Sequence, residues 1–268
     1  MIKSKKYYTD IYSLFVLKKK INKKRLENIF SLLRVGSTFK TTSHNRMTNI
    51  NKKLKNYIKI FLKKKIIICD VGISSGQSTY ELFNDLNGNQ IKYIYGFDKQ
   101  IYIKIYKIKK LILLFSLKNE LMMVEYDKYC LRYRYFFLFK IFEKIIFNLL
   151  YFFNVKYKKS NVLTPSLKKI DKFLFFEEDI FNIDKKYYNK FDVIRVSNLL
   201  NYAYFSEDKL KIAILNLKKI SKEKSIILIN RTADNKKNLA SFFIKKKGKF
   251  HLLEDIDGGP EIKKIILS

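Results

Sequence analysis

Ile66-Ile67-Ile68-Cys69-Asp70-Val71-Gly72-Ile73-Ser74-Ser75-Gly76 decides how the rest of this chain is read. Four consecutive apolar residues, Ile66–Cys69, mark a strand covered on both faces, as in a parallel sheet. The acid and the glycine-spaced turn end that strand. A helix is expected from about Ser78 to Leu86, with Ser78 and Glu81 as a capping box and Asn87-Gly88 as its stop. A second strand, Ile91–Phe97, closes on Asp98. Strand, glycine turn, helix, strand and acid make half of a nucleotide-binding βαβ unit.

Outward from this unit, the alternation continues. Lys172–Glu177 reads as a strand followed by Glu178-Asp179-Ile180, and Phe191–Ser197 as another, followed by Asn198 and Leu199–Phe205. A helix over Glu207–Ser221 carries Leu210, Ile214, Leu217 and Ile220 on one face. Ser225–Asn230 is an apolar strand and Asn238–Lys245 a short helix. Phe250–Glu254 and Glu261–Leu267 then form a terminal hairpin around Asp257-Gly258-Gly259-Pro260. The fold class is therefore α/β: a Rossmann-like, mostly parallel seven-stranded sheet with helices on both faces and an antiparallel C-terminal hairpin.

Two regions lie outside the alternation. Residues 1–62 read as an N-terminal helical extension, with helices over Ile21–Arg34 and from Ser43 or Asn45 to Leu62. Residues 63–268 read as the main domain, with an insertion at about 100–170 after the second strand. In that insertion Leu111–Leu117 and Leu121–Tyr126 form a hairpin, and Phe136–Phe153 a helix rich in Phe, Ile and Leu.

The glycine turn fits neither of two familiar phosphate-binding loops. A dinucleotide turn requires Gly-x-Gly-x-x-Gly, and here Ser74 and Gln77 stand at the second and third glycine positions. A P-loop requires four residues between its glycines and then Lys-Ser; here three are followed by Gln77-Ser78. Asp70-x-Gly72-x-Ser74-x-Gly76, with Asp98 ending the second strand and Asp179-Ile180 after the third, resembles the class I S-adenosylmethionine-dependent methyltransferases. The resemblance covers roughly Lys65–Asp98 and Lys172–Ser268.

That resemblance implies S-adenosyl-L-methionine as cofactor and methyl transfer by in-line displacement. It implies that Gly72, Ser74 and Gly76 let the backbone approach the cofactor and that Asp70 sits near the methionine ammonium. Asp98 is implied to take both ribose hydroxyls, a task for a carboxylate's two oxygens. Asp179 is assigned to the adenine amino group, with Ile180 and Phe97 or Lys99 bounding the ring. Asn198 and Tyr202, after the fourth strand, are the candidates near the transferable methyl. A base is required only for a protonated acceptor; His44 and His251 are weighed for that part, and no catalytic residue is marked. No metal cluster is expected.

Composition bears on the partner. The chain has 268 residues, 47% hydrophobic and 16% aromatic, which excludes a disordered polymer. Two cysteines, Cys69 and Cys130, exclude a disulfide scaffold or a thiolate zinc site. Lys+Arg number 56 against 24 Asp+Glu, a net charge of +32, yet the arginines are Arg25, Arg34, Arg46, Arg132, Arg134, Arg195 and Arg231 alone. A surface built to read nucleic acid uses more of the bidentate guanidinium. Alongside low Gly and Pro and absent Trp, the lysine excess reads mainly as compositional bias, with weak attraction to anionic membrane or nucleic acid as its consequence.

The methyl acceptor is not specified by these residues. The Phe136–Phe153 segment, flanked by Arg132, Arg134, Lys140, Lys144 and Lys156–Lys159, is the place to look for an apolar acceptor or a membrane surface. A cytoplasmic location is expected, because no signal-peptide pattern is present. Two alternatives stand beside the main reading: an RNA-binding methyltransferase, and a non-catalytic or membrane-surface protein that keeps the methyltransferase fold.

Overall fold

The computed structural model describes residues 6–17, 19, 23–35, 38–39, 46–62, 64–131, 137–233 and 237–268. In chain order the elements are β1 (Lys6–Tyr8), α1 (Ile11–Phe15), α2 (Lys23–Leu32), β2 (Arg34–Val35), β3 (Thr38–Phe39), α3 (Thr48–Phe61), β4 (Ile66–Val71) and α4 (Gln77–Asp85). Next come β5 (Ile91–Asp98), β6 (Tyr102–Ile108), β7 (Leu111–Ser116), β8 (Leu121–Tyr126), β9 (Tyr129–Leu131), α5 (Phe137–Phe152) and β10 (Tyr157–Asn161). The chain ends with β11 (Phe173–Glu177), β12 (Phe191–Ser197), α6 (Glu207–Ile220), β13 (Ser221–Thr232), β14 (Asn238–Lys246), β15 (Lys249–Ile256) and α7 (Lys263–Leu267). They divide into two compact units, one of residues 1–43 and 100–165, the other of residues 44–99 and 166–268. The boundary falls inside the segment expected as one N-terminal extension, because its first helices pack with the inserted residues and α3 packs with the main sheet.

The larger unit is built on a seven-stranded sheet of order β11-β5-β4-β12-β13-β14-β15. β11, β5, β4, β12 and β13 run parallel, and β14 runs antiparallel to both of its neighbours, β13 and β15. Alternate residues of each strand face opposite sides. Val196, Ile227, Ile229 and Phe243 share one cluster with Leu210, Ile214 and Leu217 of α6 and Ile262 and Ile266 of α7. Phe242, next to Phe243 in sequence, faces the other side, where the Tyr57 ring of α3 lies 5.2 Å from it. α3 and α4 are joined by Asn51 Nδ2 donating to Asp85 Oδ2 at 2.7 Å. The α6 ends match the helix dipole, with Glu207 and Asp208 in the first turn and Lys218 and Lys219 in the last.

Three expectations are corrected here. Asn238–Lys245 is not a helix but most of β14, since its short apolar run fills both sheet faces, and periodicity alone does not separate that from a helix. The terminal hairpin is β14–β15, turning on Lys247 and Gly248, both with positive φ (52° and 74°), the conformation that two-residue hairpin turns require. Glu261–Leu267 is therefore no strand: Ile262, Ile265 and Ile266 are buried at helical spacing, and α7 results. The Ser78–Glu81 capping box is also absent. Gly76 is the N-cap of α4 without a side-chain cap, while Glu81 Oε1 accepts from Gln77 Nε2 at 2.9 Å. Ser43 and Asn45, the expected starts of α3, lie outside the described residues.

The smaller unit holds a six-stranded sheet of order β1-β9-β8-β7-β6-β10, so the expected hairpin β7–β8 is the centre of a larger sheet. One face, with Ile105, Ile112 and Leu114, is covered by Ile11 and Phe15 of α1 and Ile29 and Phe30 of α2. The other, with Tyr106, Leu113 and Phe115, is covered by Ile146, Phe147 and Leu150 of α5. Glu125 of β8 is fully buried beneath the start of α1, where Thr9 Oγ1 and the Ile11 N–H (2.8 Å) both donate to its carboxyl group.

Burial holds the Glu125 carboxyl above its ordinary value of 4.5, against the opposing effect of those hydrogen bonds. A carboxyl group raised in the folded state contributes stability that is complete below its unfolded value and lost as pH climbs through its native one. Urea unfolding from pH 4.5 upward is expected to show this loss in the wild type. Glu125→Gln, which keeps both acceptor bonds and cannot ionise, is expected to flatten that part of the profile.

Candidate functional site

Strand order places a site before any side chain is considered. From β4 the chain passes through α4 to β5 on one side, whereas β12 and then β13 lie on the other. The order thus reverses between β4 and β12, and in open α/β sheets ligands bind at the carboxyl ends of the strands flanking such a switch point. The glycine turn leaves β4 there, and Asn198 leaves β12.

The turn is held in an unusual shape. Gly72, Ser74 and Gly76 have φ of 76°, 55° and 77°, a left-handed region that non-glycine residues rarely adopt. The Gly72 N–H donates to Phe97 O at 2.7 Å, and the Ser74 N–H donates to Asp98 Oδ2 at 2.7 Å. A Cβ at Gly72 would stand 3.2 Å from Leu199 Cδ2, so residues after β12 already press on this glycine. The predicted Gly72, Ser74, Gly76 and Asp98 are accordingly brought together, with the acid fastening the turn.

Asp70 is engaged within the protein and is 1% exposed. Arg195 Nε donates to its Oδ1 at 2.9 Å and Arg195 Nη2 to its Oδ2 at 2.5 Å, while Thr79 Oγ1 adds a bond to Oδ2 at 2.6 Å. The cause is register: Arg195 and Asp70 are direct partners in the parallel β12–β4 pair. Arg195, also 1% exposed, is the residue that motif reading passed over. The signal was available, because a lone cation between Ile194 and Val196 in a buried strand requires a buried anion.

At the adenine end the expected set is divided. Asp179 is partly exposed, pairs with Lys99 Nζ at 3.1 Å and accepts from the Phe181 N–H at 3.1 Å. Ile180 and Phe97 are buried in the core, and Lys99 stays at the surface. Phe181 and Phe205, in the loops after β11 and β12, form an edge-to-face pair at 4.9 Å that was not foreseen.

Asn198, at φ 56°, clamps the ends of β12 and β13. Its N–H donates to Asn230 O at 2.8 Å, and its Oδ1 accepts from the Thr232 N–H at 2.6 Å. Tyr202 is exposed and its N–H donates to Glu261 Oε1 at 2.9 Å. His251 lies on β15, three strands beyond β12, away from the turn; His44 is outside the described residues. Burial pushes the Cys69 thiol well up, which removes it as a nucleophile.

Several polar atoms at this end of the sheet are buried without a partner: Ser74 Oγ, Asn198 Nδ2, Asn201 Oδ1, Arg195 Nη1 and Arg46 Nε. Burial and the nearby Arg195 charge lower the Arg46 pKa from its ordinary value. Unmet donors and acceptors grouped at a switch point suit a polar, multifunctional ligand.

No family model matches the sequence, and no curated protein matches it. Among solved structures the chain is similar to a putative protein-L-isoaspartate O-methyltransferase from Plasmodium falciparum in complex with S-adenosyl-L-homocysteine. That match has 19% identity and a TM-score of 0.38, covering 87% of this chain and 80% of the other. It is also similar to a putative S-adenosyl-L-methionine-dependent methyltransferase from Methanococcus maripaludis (17%, TM-score 0.36, 80% and 65% covered). A third match is the CurJ carbon methyltransferase (13%, TM-score 0.39), of whose length this chain spans 35%. These three structures are titled methyltransferases. Likeness at these TM-scores assigns no substrate or activity.

Removing one member of a buried ion pair leaves an uncompensated charge and costs about 3–5 kcal/mol. Arg195→Met is expected to lower the unfolding free energy by that amount in urea titration. Adding Asp70→Asn to it should recover part of the loss, since the second change removes the stranded charge.

Proposed function

We propose that this chain binds S-adenosylmethionine at the carboxyl ends of β4, β5 and β12 and transfers its methyl group to an acceptor by in-line displacement. The observation that carries this reading is the left-handed Gly72–Gly76 turn bonded to Asp98 at the switch point. The main chain of two glycines meets a carboxylate there, beside unpartnered polar atoms and with the Leu199 side chain resting on Gly72. Gly72 and Gly76 would admit the cofactor, Asp98 would take its ribose, and Asp179 would exchange the Lys99 ion pair for contact with the adenine amino group. Asn198 Nδ2 and Ser74 Oγ are polar atoms still able to hold the amino-acid end.

When bound, S-adenosylmethionine supplies an electrophilic methyl group together with its own leaving group. The protein's part is to align the acceptor and exclude water. Asn198, fixed by its bonds to Asn230 and Thr232, is a rigid donor for that purpose, and Tyr202 is an exposed residue on the loop that follows.

The ion pair between Asp70 and Arg195 favours a second reading, in which the fold persists without using the cofactor. Arg195 occupies the carboxylate that the resemblance reserves for the ammonium. Calorimetric titration with S-adenosylmethionine separates the two. Binding is expected for the wild type, about 10–100-fold weaker binding for Asp98→Ala from loss of a charged hydrogen-bond acceptor, and none for Gly72→Arg. No binding by a folded wild type selects the second reading.

A further inference from the structure

α5 is apolar on both sides. Ile146, Phe147 and Leu150 turn inward onto the β6–β8 face, as expected for a covering helix. The opposite side is apolar as well: Ile141, Ile145, Leu149 and Phe152 are all about half exposed or more. Tyr151 and Phe152 at the helix end, and Phe153 just beyond it, are exposed by 83%, 80% and 68%. A helix that is hydrophobic all round is ordinarily buried, and among the described residues nothing covers these side chains. A cleft of ≈ 590 Å³ beside it, lined by Tyr106, Phe147, Leu150, Tyr151 and Tyr157, extends the apolar area.

Charge identifies what covers it. Lys144 on the helix and Lys156 and Lys159 just after it are exposed, whereas Lys158 turns to the other face of the sheet, over the Tyr12 ring of α1. The segment 141–160 contains one acid, Glu143, and its carboxylate is turned inward to accept from the Leu121 N–H. Apolar residues edged by lysines match an anionic bilayer, in which side chains enter the acyl boundary while lysines meet headgroups. A second copy matches poorly, because each chain carries +32. Nucleic acid would satisfy the lysines and leave the aliphatic residues in water.

We infer that the outer face of α5, with Lys144, Lys156 and Lys159, docks on an anionic lipid bilayer. Sixteen helical residues span about 24 Å, short of the roughly 30 Å hydrocarbon core, so the helix lies in the interface. Consistently, among the described residues no helix is long and apolar enough to cross a membrane. This inference is independent of cofactor binding.

Flotation of the full chain with vesicles of phosphatidylcholine, with or without phosphatidylserine, tests it. At least about tenfold more protein is expected to float with the anionic vesicles, and less at high salt. Ile145→Ser/Leu149→Ser/Phe152→Ser is expected to abolish flotation. Lys156→Glu/Lys159→Glu, which leaves the apolar face intact, is expected to remove the preference for phosphatidylserine. Circular dichroism checks that both variants are folded. A wild type that stays with the soluble fraction, or a serine variant that floats as well as the wild type, overturns the inference. So does poly(U) binding, or dimerisation, that the serine variant loses while vesicle flotation is absent.

Discussion

The buried pair of Asp70 and Arg195 ties together the two strands between which the chain reverses direction across the sheet. Taking both charges out of water is costly, and the return depends on geometry: two guanidinium nitrogens meet two carboxylate oxygens, and Thr79 occupies a further site on the acid. A one-residue slip of β12 against β4 would set Arg195 opposite Cys69 or Val71 and strand both charges. The pair therefore enforces register, which an all-Ile and Val interior would specify only weakly. Everything after Asp70, including the turn and α4, starts from a strand end fixed in this way.

Seen from that anchor, the glycine turn has two distinct constraints. Its left-handed residues let it double back, and Asp98 on the neighbouring strand sets how far. Leu199, arriving from β12, packs on Gly72 from the other side. The three strands β4, β5 and β12 thereby converge through main-chain and short side-chain contacts, a rigid arrangement well suited to presenting backbone groups to a ligand. Asn198 performs a similar task one strand further on, joining β12 to β13.

Much of this could be read directly from residue order. Ile66–Cys69, the glycine spacing and Asp98 belong to one contiguous βαβ segment, and local pattern determines it. Arg195 pairs with a residue 125 positions earlier, a separation that no local pattern spans. Ile180, which the resemblance sets against the adenine ring, turns its side chain into the core, a direction that depends on residues distant in sequence. The C-terminal segment misled for a different reason. Asn238–Lys246 and Glu261–Leu267 are short apolar runs, and what separates strand from helix there is the partner: β13 offers an open edge to the first and α6 a packing surface to the second.

The smaller unit is assembled from two stretches of chain separated by α3, β4, α4 and β5. Its strand β1 pairs with β9, Lys6 opposite Leu131, and the apolar sides of α1 and α2 rest on strands beyond residue 100. During synthesis, at about 5–20 residues per second, the first forty residues therefore wait roughly 5–25 s on the ribosome before their partners emerge. Phe15 and Phe30, whose rings lie 6.1 Å apart in the folded unit, have only each other and the rest of α1 and α2 to pack on for that interval, because the strands beneath them come later in the chain.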